Sequence, residues 1–171
     1  GRVDPMHILC RGPAGSIPDL IARAVADQLF VTAGLRAVVD NRPGAAGQIS
    51  VSALKGAVAD GSTLLLAQGA IATVYPYLYA KLAFDPAVDL QPVSLASEMP
   101  LALAVGPAVP REVTTLADFT VWIRDHPALA NIGSPGTGTL PHLLAAMLFR
   151  KEGVAWLHVA YTGGPAAVTD L

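Results

Sequence analysis

Glycines spaced like those of a phosphate-binding loop lie between Gly133 and His142, in the stretch GSPGTGTLPH. The ATPase loop needs a lysine and then a serine or threonine after its last glycine, because the lysine reaches the terminal phosphates and the hydroxyl holds Mg²⁺. Thr139 and Leu140 stand at those positions instead. A glycine-rich backbone that leads into a helix still offers N–H groups and a positive helix end to an anion. The stretch therefore predicts an anion site but not an ATP site.

Two further glycine-rich loops follow apolar runs and lead into helical patterns. One runs from Arg11 to Asp19 and reads RGPAGSIPD, and the other runs from Asn41 to Gln48 and reads NRPGAAGQ. All three loops are expected at the carboxyl ends of parallel strands, where open α/β sheets bind ligands. Each loop alone could be only a tight connection between a strand and a helix. Three of them together favour a ligand site.

The sequence contains no clear pattern of a catalytic nucleophile or of metal ligands. Ser134 with His142 and an aspartate would suggest a hydrolase, yet residues 133–136 lack the G-x-S-x-G pattern of a nucleophile elbow. The four histidines have no metal-ligand spacing, and Cys10, the single cysteine, predicts a small core residue rather than a reactive one. We therefore predict no catalytic residue, no metal and no cofactor, and a binding protein rather than an enzyme.

Composition narrows the class further. The chain has a net charge of −2 and only 14% charged residues. It therefore does not have the excess of basic residues that nucleic-acid binding requires. The hydrophobic fraction of 53% suggests apolar surface that needs a partner. The longest uncharged run, 61–80, contains Gln68, Gly69 and Pro76, and predicts a strand, a loop and a short helix rather than a membrane span. The first residues do not show a signal-peptide pattern.

Short apolar runs alternate with helical periods along the whole chain. This order predicts a parallel sheet with helices on its faces. We place the boundary between a first lobe, 1–104, and a second lobe, 105–171, in the proline-rich region near Gly106. The predicted strands are 6–10, 37–39, 63–67, 129–132 and 156–160, and the predicted helices are 19–31, 48–58, 116–125, 140–151 and a last one after Pro165.

Six segments, in order along the chain, carry a resemblance to a known family. The most specific are NRPGAAG at 41–47 and the G-x-G-T-x-x-H-L pattern at 136–143. The others are PAGSIPDLIAR (13–23), ADGSTLLLA (59–67), LYAKLAFDPAVDLQPVSLAS (78–97) and HVAYTGGPAAVTDL (158–171). The chain resembles the tripartite tricarboxylate transporter receptor family, the Bug-type periplasmic solute-binding proteins.

The resemblance implies an α/β fold like that of type II periplasmic binding proteins, with two lobes of parallel or mixed sheets flanked by helices. Because members of the family are longer chains, the second lobe is expected to be incomplete. An incomplete lobe would expose apolar surface, and this surface is expected to favour self-association. The implied function is a periplasmic receptor that closes on a small carboxylate (a dicarboxylate, an amino acid or a related organic acid) and presents it to the membrane permease subunits of a tripartite transporter. A hydrolase or phosphoryl-transfer enzyme, and a truncated remnant that no longer binds ligand, are the alternatives.

In the family, backbone amides, hydroxyls and ordered waters hold the ligand's carboxylate. This chain departs from the usual first loop, because Gly12 replaces an aromatic residue, Ser16 replaces a glycine and Pro18 removes a backbone donor. The ligand's identity therefore cannot be taken from a relative. By position, the resemblance implies a clamp in the first lobe (Ala14, Gly15, Ser16, Ile17, Asp19), a second clamp in the other lobe (Gly136, Thr137, Gly138, Thr139, His142), and Gln68 and Gly69 as further candidates for the cleft floor.

Three of the polar residues near these loops keep two possible roles. Arg11 either pairs with a second carboxylate of the ligand or is a solvated charge at a strand end. His142 either donates to the ligand or supports its loop. Asp19 either caps its helix or lies at the ligand site, and the first role is favoured because a bare carboxylate would repel an anion.

Overall fold

The structure is a computed structural model that describes residues 5–171. The chain divides into two compact units, the first ending at Met99 and the second beginning at Pro100. The lobe boundary at residues 104 and 105 stays a prediction. Among the described residues, each unit contains its own parallel sheet, with three strands in the first and two in the second.

The first unit alternates strands with helices from its first described residues onward. The elements are β1 (Met6–Cys10), α1 (Ile17–Ala33), β2 (Ala37–Asn41), a 3₁₀ turn (Ala45–Gly47), α2 (Gln48–Lys55), β3 (Thr63–Leu66), α3 (Ala70–Thr73), α4 (Tyr75–Leu78) and α5 (Pro86–Asp89).

Strand β1 is the central strand of the first sheet, whose order is β2-β1-β3 with both pairings parallel. Its partners are in register from Met6 with Ala37 to Cys10 with Asn41 on one side, and from His7 with Thr63 on the other. The carboxyl ends of the three strands therefore lie at one edge. The loops that begin at Arg11, at Arg42 and after Leu66 all leave from that edge.

The core of the first unit forms where α1 covers the sheet, with Ile8, Cys10 and Ala22 buried together. Burial raises the pKa of the Cys10 thiol, because the thiolate would lose its hydration there. Cys10 is fully buried and is therefore the small core residue that the sequence predicts. Helix α1 begins two residues earlier than predicted, since Pro18 occupies the first turn, where its missing N–H costs no helical hydrogen bond.

The second unit contains a strand–helix–strand arrangement preceded by a helix. Its elements are α6 (Leu116–Asp125), a 3₁₀ turn (Pro127–Leu129), β4 (Asn131–Ser134), α7 (Leu140–Glu152), β5 (Leu157–Ala160) and α8 (Gly164–Thr169), and β4 pairs parallel to β5 from Asn131 with Leu157 to Ser134 with Ala160.

Helix α6 begins at the predicted residue because Thr115 and Asp118 form a capping box in which each side chain satisfies a backbone N–H of the other residue. The core of this unit contains Phe119, Ile123 and Phe149, and Phe149 is fully buried. The predicted strand 129–132 was placed two residues too early, since Pro127 begins a 3₁₀ turn and β4 follows it.

Apolar side chains remain exposed in the segment that contains the boundary between the units. No helix or strand lies between Leu90 and Val105, both of which are within the described part of the chain, and Val93 and Leu95 are exposed in that segment. Self-association through such surface stays a prediction.

Over residues 5–171, no helix combines the length and the hydrophobicity that crossing a membrane requires. The predicted α/β class with parallel sheets and flanking helices is confirmed.

Candidate functional site

The first glycine-rich loop presents a small exposed surface at the N-terminus of α1. Ala14, Gly15 and Ile17 are exposed, whereas Ser16, the N-cap residue, is buried. The Ser16 hydroxyl donates to the Pro13 carbonyl at 2.6 Å and makes no capping hydrogen bond. The first-turn amides of α1 are therefore left uncapped by Ser16, and they lie at the positive end of the helix.

Asp19 is buried behind this loop and holds its shape. One carboxylate oxygen accepts from the Gly15 N–H at 2.9 Å and from Arg23 Nε at 3.0 Å, and the other accepts from Asn41 Nδ2 at 2.9 Å. The Asn41 amide also donates to the Gly12 carbonyl at 2.9 Å. Asn41 begins the NRPGAAGQ loop that follows β2, so the Asp19 carboxylate links that loop to the loop before α1.

These hydrogen bonds lower the pKa of Asp19 to about 2, with Arg23 as the largest cause, followed by the Gly15 amide and the Asn41 side chain. The carboxylate is therefore charged at all ordinary pH values, and its charge is satisfied by the protein. Asp19 does not offer a free carboxylate to a ligand. We assign it a positioning role, although its predicted place among the ligand contacts stays untested.

The second loop, between β4 and α7, is built around the Gly136 carbonyl. The Thr139 hydroxyl donates to this oxygen at 2.7 Å, and the Ser134 hydroxyl lies 3.1 Å from it. Thr139 is the N-cap residue of α7, but its hydroxyl makes no capping hydrogen bond. Thr137 is exposed at the tip of the loop. As in the first loop, the N-cap side chain points back into the loop and leaves the helix amides uncapped.

His142 supports the second loop from the first turn of α7. The Gly138 N–H donates to His142 Nδ1 at 3.0 Å, so a neutral His142 carries its proton on Nε2. Gly138 has a φ of 78°, in the left-handed region that favours glycine. The Gly138 amide is thus used within the loop, and the His142 Nε2–H is the donor that this ring can offer to a ligand.

His158 on β5 connects this loop to the sheet. Its ring stacks on the His142 ring, with 3.9 Å between centroids and an angle of 18° between planes. Its Nε2 lies 2.7 Å from the Ser134 hydroxyl, and Ser134 is buried. The sequence alone does not single out His158, because only the pairing of β4 with β5 brings it beside Ser134.

We expect the stability of the second unit to depend on the charge of His158. Burial and then the neighbouring His142 lower its pKa below the usual 6.5, so the folded chain binds a proton less readily than the unfolded chain. The stability that neutral His158 provides to the folded chain is therefore complete above about pH 6.5, and it is lost as the pH falls through the pKa of His158 in the folded chain. Urea unfolding from about pH 8 to about pH 5 should show a smaller decline in the free energy of unfolding for His158→Gln than for the wild type. Equal declines in the two proteins would show that His158 has no such effect.

The carboxyl ends of β1 and β3 are joined by Arg11 and Gln68. Arg11 Nη1 donates to Gln68 Oε1 at 2.8 Å. Gly69, which begins the turn into α3, is exposed. Gln68 therefore contacts Arg11, and its predicted place near the ligand stays a prediction.

The loop after β2 has an unusual backbone. Ala45 and Ala46 have φ values of 46° and 53°, in a region that residues with a Cβ rarely adopt. The Tyr75 hydroxyl, from a fully buried side chain, donates to the Ala46 carbonyl at 2.6 Å and holds this conformation. The NRPGAAG segment is thus fixed from both sides, by Asp19 at Asn41 and by Tyr75 at Ala46.

Ser134 and His158 do not form the site of a hydrolase. The Ser134 hydroxyl is buried and bridges the Gly136 backbone to the His158 ring, so it is not presented to a substrate. Within residues 5–171, no three His, Cys, Asp or Glu side chains are grouped so that they could hold a metal ion. What the two loops share is exposed small residues, uncapped helix ends and no free acidic group.

Residues 21–171 match the sequence model of the tripartite tricarboxylate transporter family receptor. The chain belongs to this receptor family. The match contains two of the three glycine-rich loops, residues 21–99 of the first unit and the whole second unit. The predicted membership, and with it the prediction of a binding-protein family rather than an enzyme family, is confirmed.

Three relatives illustrate the similarity. A UPF0065 protein of Bordetella bronchiseptica is 31% identical over 167 residues, which are 98% of this chain and 49% of that protein. The solved structure of R. palustris Rpa4515 with adipate has a TM-score of 0.89 at 29% identity and covers 98% of this chain and 55% of its own. That of MatC from Rhodopseudomonas palustris with bound malate has a TM-score of 0.79 at 26% identity and covers 98% and 56%. The chain thus spans about half the length of the relatives that it matches.

Proposed function

We propose that this chain is the binding part of a periplasmic receptor for a small carboxylate, which it delivers to the membrane subunits of a tripartite transporter. The observation that carries the proposal is the pair of loops before α1 and α7. In each, the N-cap hydroxyl is engaged by the loop itself and the helix end is left to meet an anion. Two solved members of similar fold contain adipate and malate, which are both dicarboxylates.

The charge pattern of the loops supports a carboxylate rather than a phosphate ester. The second loop, 133–142, contains no acidic or basic side chain apart from His142, and the acidic residue of the first loop is neutralised by Arg23, Asn41 and Gly15. A carboxylate group that meets neutral donors and a helix end needs neither a lysine nor a metal ion. We propose that each of these two loops is a carboxylate-binding element of its own unit.

A thermal-shift screen against small carboxylates tests this proposal. A ligand that binds only the folded chain stabilises it by about 2.7 kcal/mol at a hundredfold excess over its dissociation constant. We expect at least one acid to raise the unfolding temperature. We expect Gly138→Val to abolish that shift, because valine is strained at the φ of 78° and distorts the loop that Gly138 shares with His142.

The opposite end of the same helix provides a matched control. Gly153 follows α7 with a φ of 65°, and a Cβ added there would have no other atom within 4 Å, so Gly153→Val introduces comparable backbone strain away from the loop. This control should lose stability and keep the ligand-induced shift. Equal loss of the shift in both variants would assign the effect to unfolding, and the absence of a shift with every acid tested would contradict the proposal.

A further inference from the structure

Arg11 lies at the carboxyl end of β1, where the strand order of the first sheet reverses from one side of β1 to the other. From β1 the chain passes through α1 to β2 on one side, and it then returns through α2 to β3 on the other side. In open α/β sheets the crevice beyond the carboxyl ends of two such strands is the usual ligand site. The hydrogen bond from Arg11 Nη1 to Gln68 Oε1, at 2.8 Å, joins the ends of β1 and β3 and therefore lies at this switch point.

The Arg11 side chain is held in place before any ligand arrives. A Cβ on Gly47 would lie 3.3 Å from both Cβ and Cδ of Arg11, so the aliphatic part of the side chain packs against the backbone at Gly47. Gln68 fixes the guanidinium, and the side chain is half-buried. The loops after all three strands thus define its position, which reduces the entropy that a ligand contact would cost.

The charge of Arg11 is not neutralised by its protein neighbours. The ion pairs found within residues 5–171 join Arg23 to Asp19, Arg42 to Asp40, Lys55 to Asp89 and Arg124 to Glu152, and none of them includes Arg11. Gln68 is a neutral acceptor that occupies one of the five N–H donors of the guanidinium. A fixed, half-buried cation with donors to spare is suited to a carboxylate that accepts two of them.

We propose that Arg11 binds the second carboxylate of the ligand, so that the receptor selects dicarboxylates over monocarboxylates. This inference rests on the proposed function, because it concerns the far end of the same ligand. Arg11 is the specificity-determining residue and Gln68 is its positioning residue. The first carboxylate needs only neutral donors and a helix end, whereas the second one meets the full positive charge of Arg11.

Titration calorimetry with the whole chain tests the inference with paired ligands. Each dicarboxylate of a series from four to seven carbons is compared with its own monoamide, which has the same length and lacks one charge. We expect the wild type to bind the best diacid about 10- to 100-fold more tightly than its monoamide, the effect of one charge-assisted pair. Arg11→Gln should lose this preference and bind the monoamide as the wild type does. Arg11→Lys, which keeps the charge without the planar fork, should fall between them.

Arg36→Gln is the matched control, because Arg36 is an exposed arginine that precedes β2, at the edge of the sheet opposite to Arg11. It should keep the preference. If the wild type binds diacids and monoamides equally well, or if Arg11→Gln retains the preference, the inference is wrong and the receptor function stands. If the wild type binds no mono- or dicarboxylate, both are wrong. Because the wild type alone gives the first comparison, the test does not depend on the folding of a variant.

Discussion

Asp19→Ala should both destabilise the first unit and abolish carboxylate binding. The substitution leaves the Gly15 N–H and the Asn41 amide without their acceptor behind the loop. We expect the free energy of unfolding to fall by about 3 kcal/mol, because hydrogen bonds to a buried charge are lost together. Urea unfolding followed by far-ultraviolet circular dichroism measures the first effect, and the ligand-induced thermal shift measures the second.

The pH dependence gives this prediction a second readout. The pKa of Asp19 is lowered from 3.8 to about 2, so the stability it provides is complete above pH 3.8 and is lost as the pH falls through about 2. The difference between the wild type and Asp19→Ala should therefore shrink at acidic pH. Asp27→Ala, on the exposed face of the same helix, is the control and should change stability by less than about 0.5 kcal/mol. An unchanged midpoint together with a retained ligand shift would show that Asp19 does not organise the loop.

Phe149→Ala should unfold the second unit at much lower denaturant concentration than the wild type. Phe149 is fully buried against Phe119, with ring centroids 6.2 Å apart, and stacks on Trp156 at 5.8 Å. Replacing a buried phenylalanine by alanine removes its transfer free energy and leaves a cavity, which costs about 3 to 5 kcal/mol.

Tryptophan fluorescence reports on this unit alone, because Trp122 and Trp156 are the two tryptophans of the sequence and both lie after residue 100. Met147→Ala, two residues away on the same helix but 68% exposed, is the control. We expect its fluorescence midpoint to stay close to that of the wild type. Midpoints that fall equally in the two variants would mean that Phe149 does not carry the core of this unit.

The fold was largely predictable because the elements have local signals. Helix α6 starts where the sequence places it, since Thr115 and Asp118 form their capping box within four residues. Helix α7 starts at Leu140 as predicted, because the glycine pattern before it cannot continue a helix. The predicted ends of helices and strands were wrong where a single residue decides where the element stops. Helix α2 stops at Lys55 rather than at residue 58, because Gly56 ends it.

The site was only partly predictable because its contacts depend on strand register. Asn41 reaches Asp19 because Cys10 is paired with Asn41 at the carboxyl ends of β1 and β2. His158 meets Ser134 and His142 because β4 and β5 pair from Asn131 with Leu157 onward. A sequence shows which residues follow each strand, whereas the side-chain partners across strands require the three-dimensional pairing. The same limit applied to Arg11, whose bond to Gln68 depends on the pairing of β1 with β3.

We propose that this chain binds a small carboxylate by its charge and leaves it chemically unchanged. We would first titrate the wild-type chain calorimetrically with the diacid that gives the largest thermal shift and with its neutral diamide, and then analyse the recovered ligand. We predict saturable binding of the diacid, weaker or undetectable binding of the diamide, and recovery of intact acid. Equal binding of the two compounds, or conversion of the acid to a product, would contradict the account.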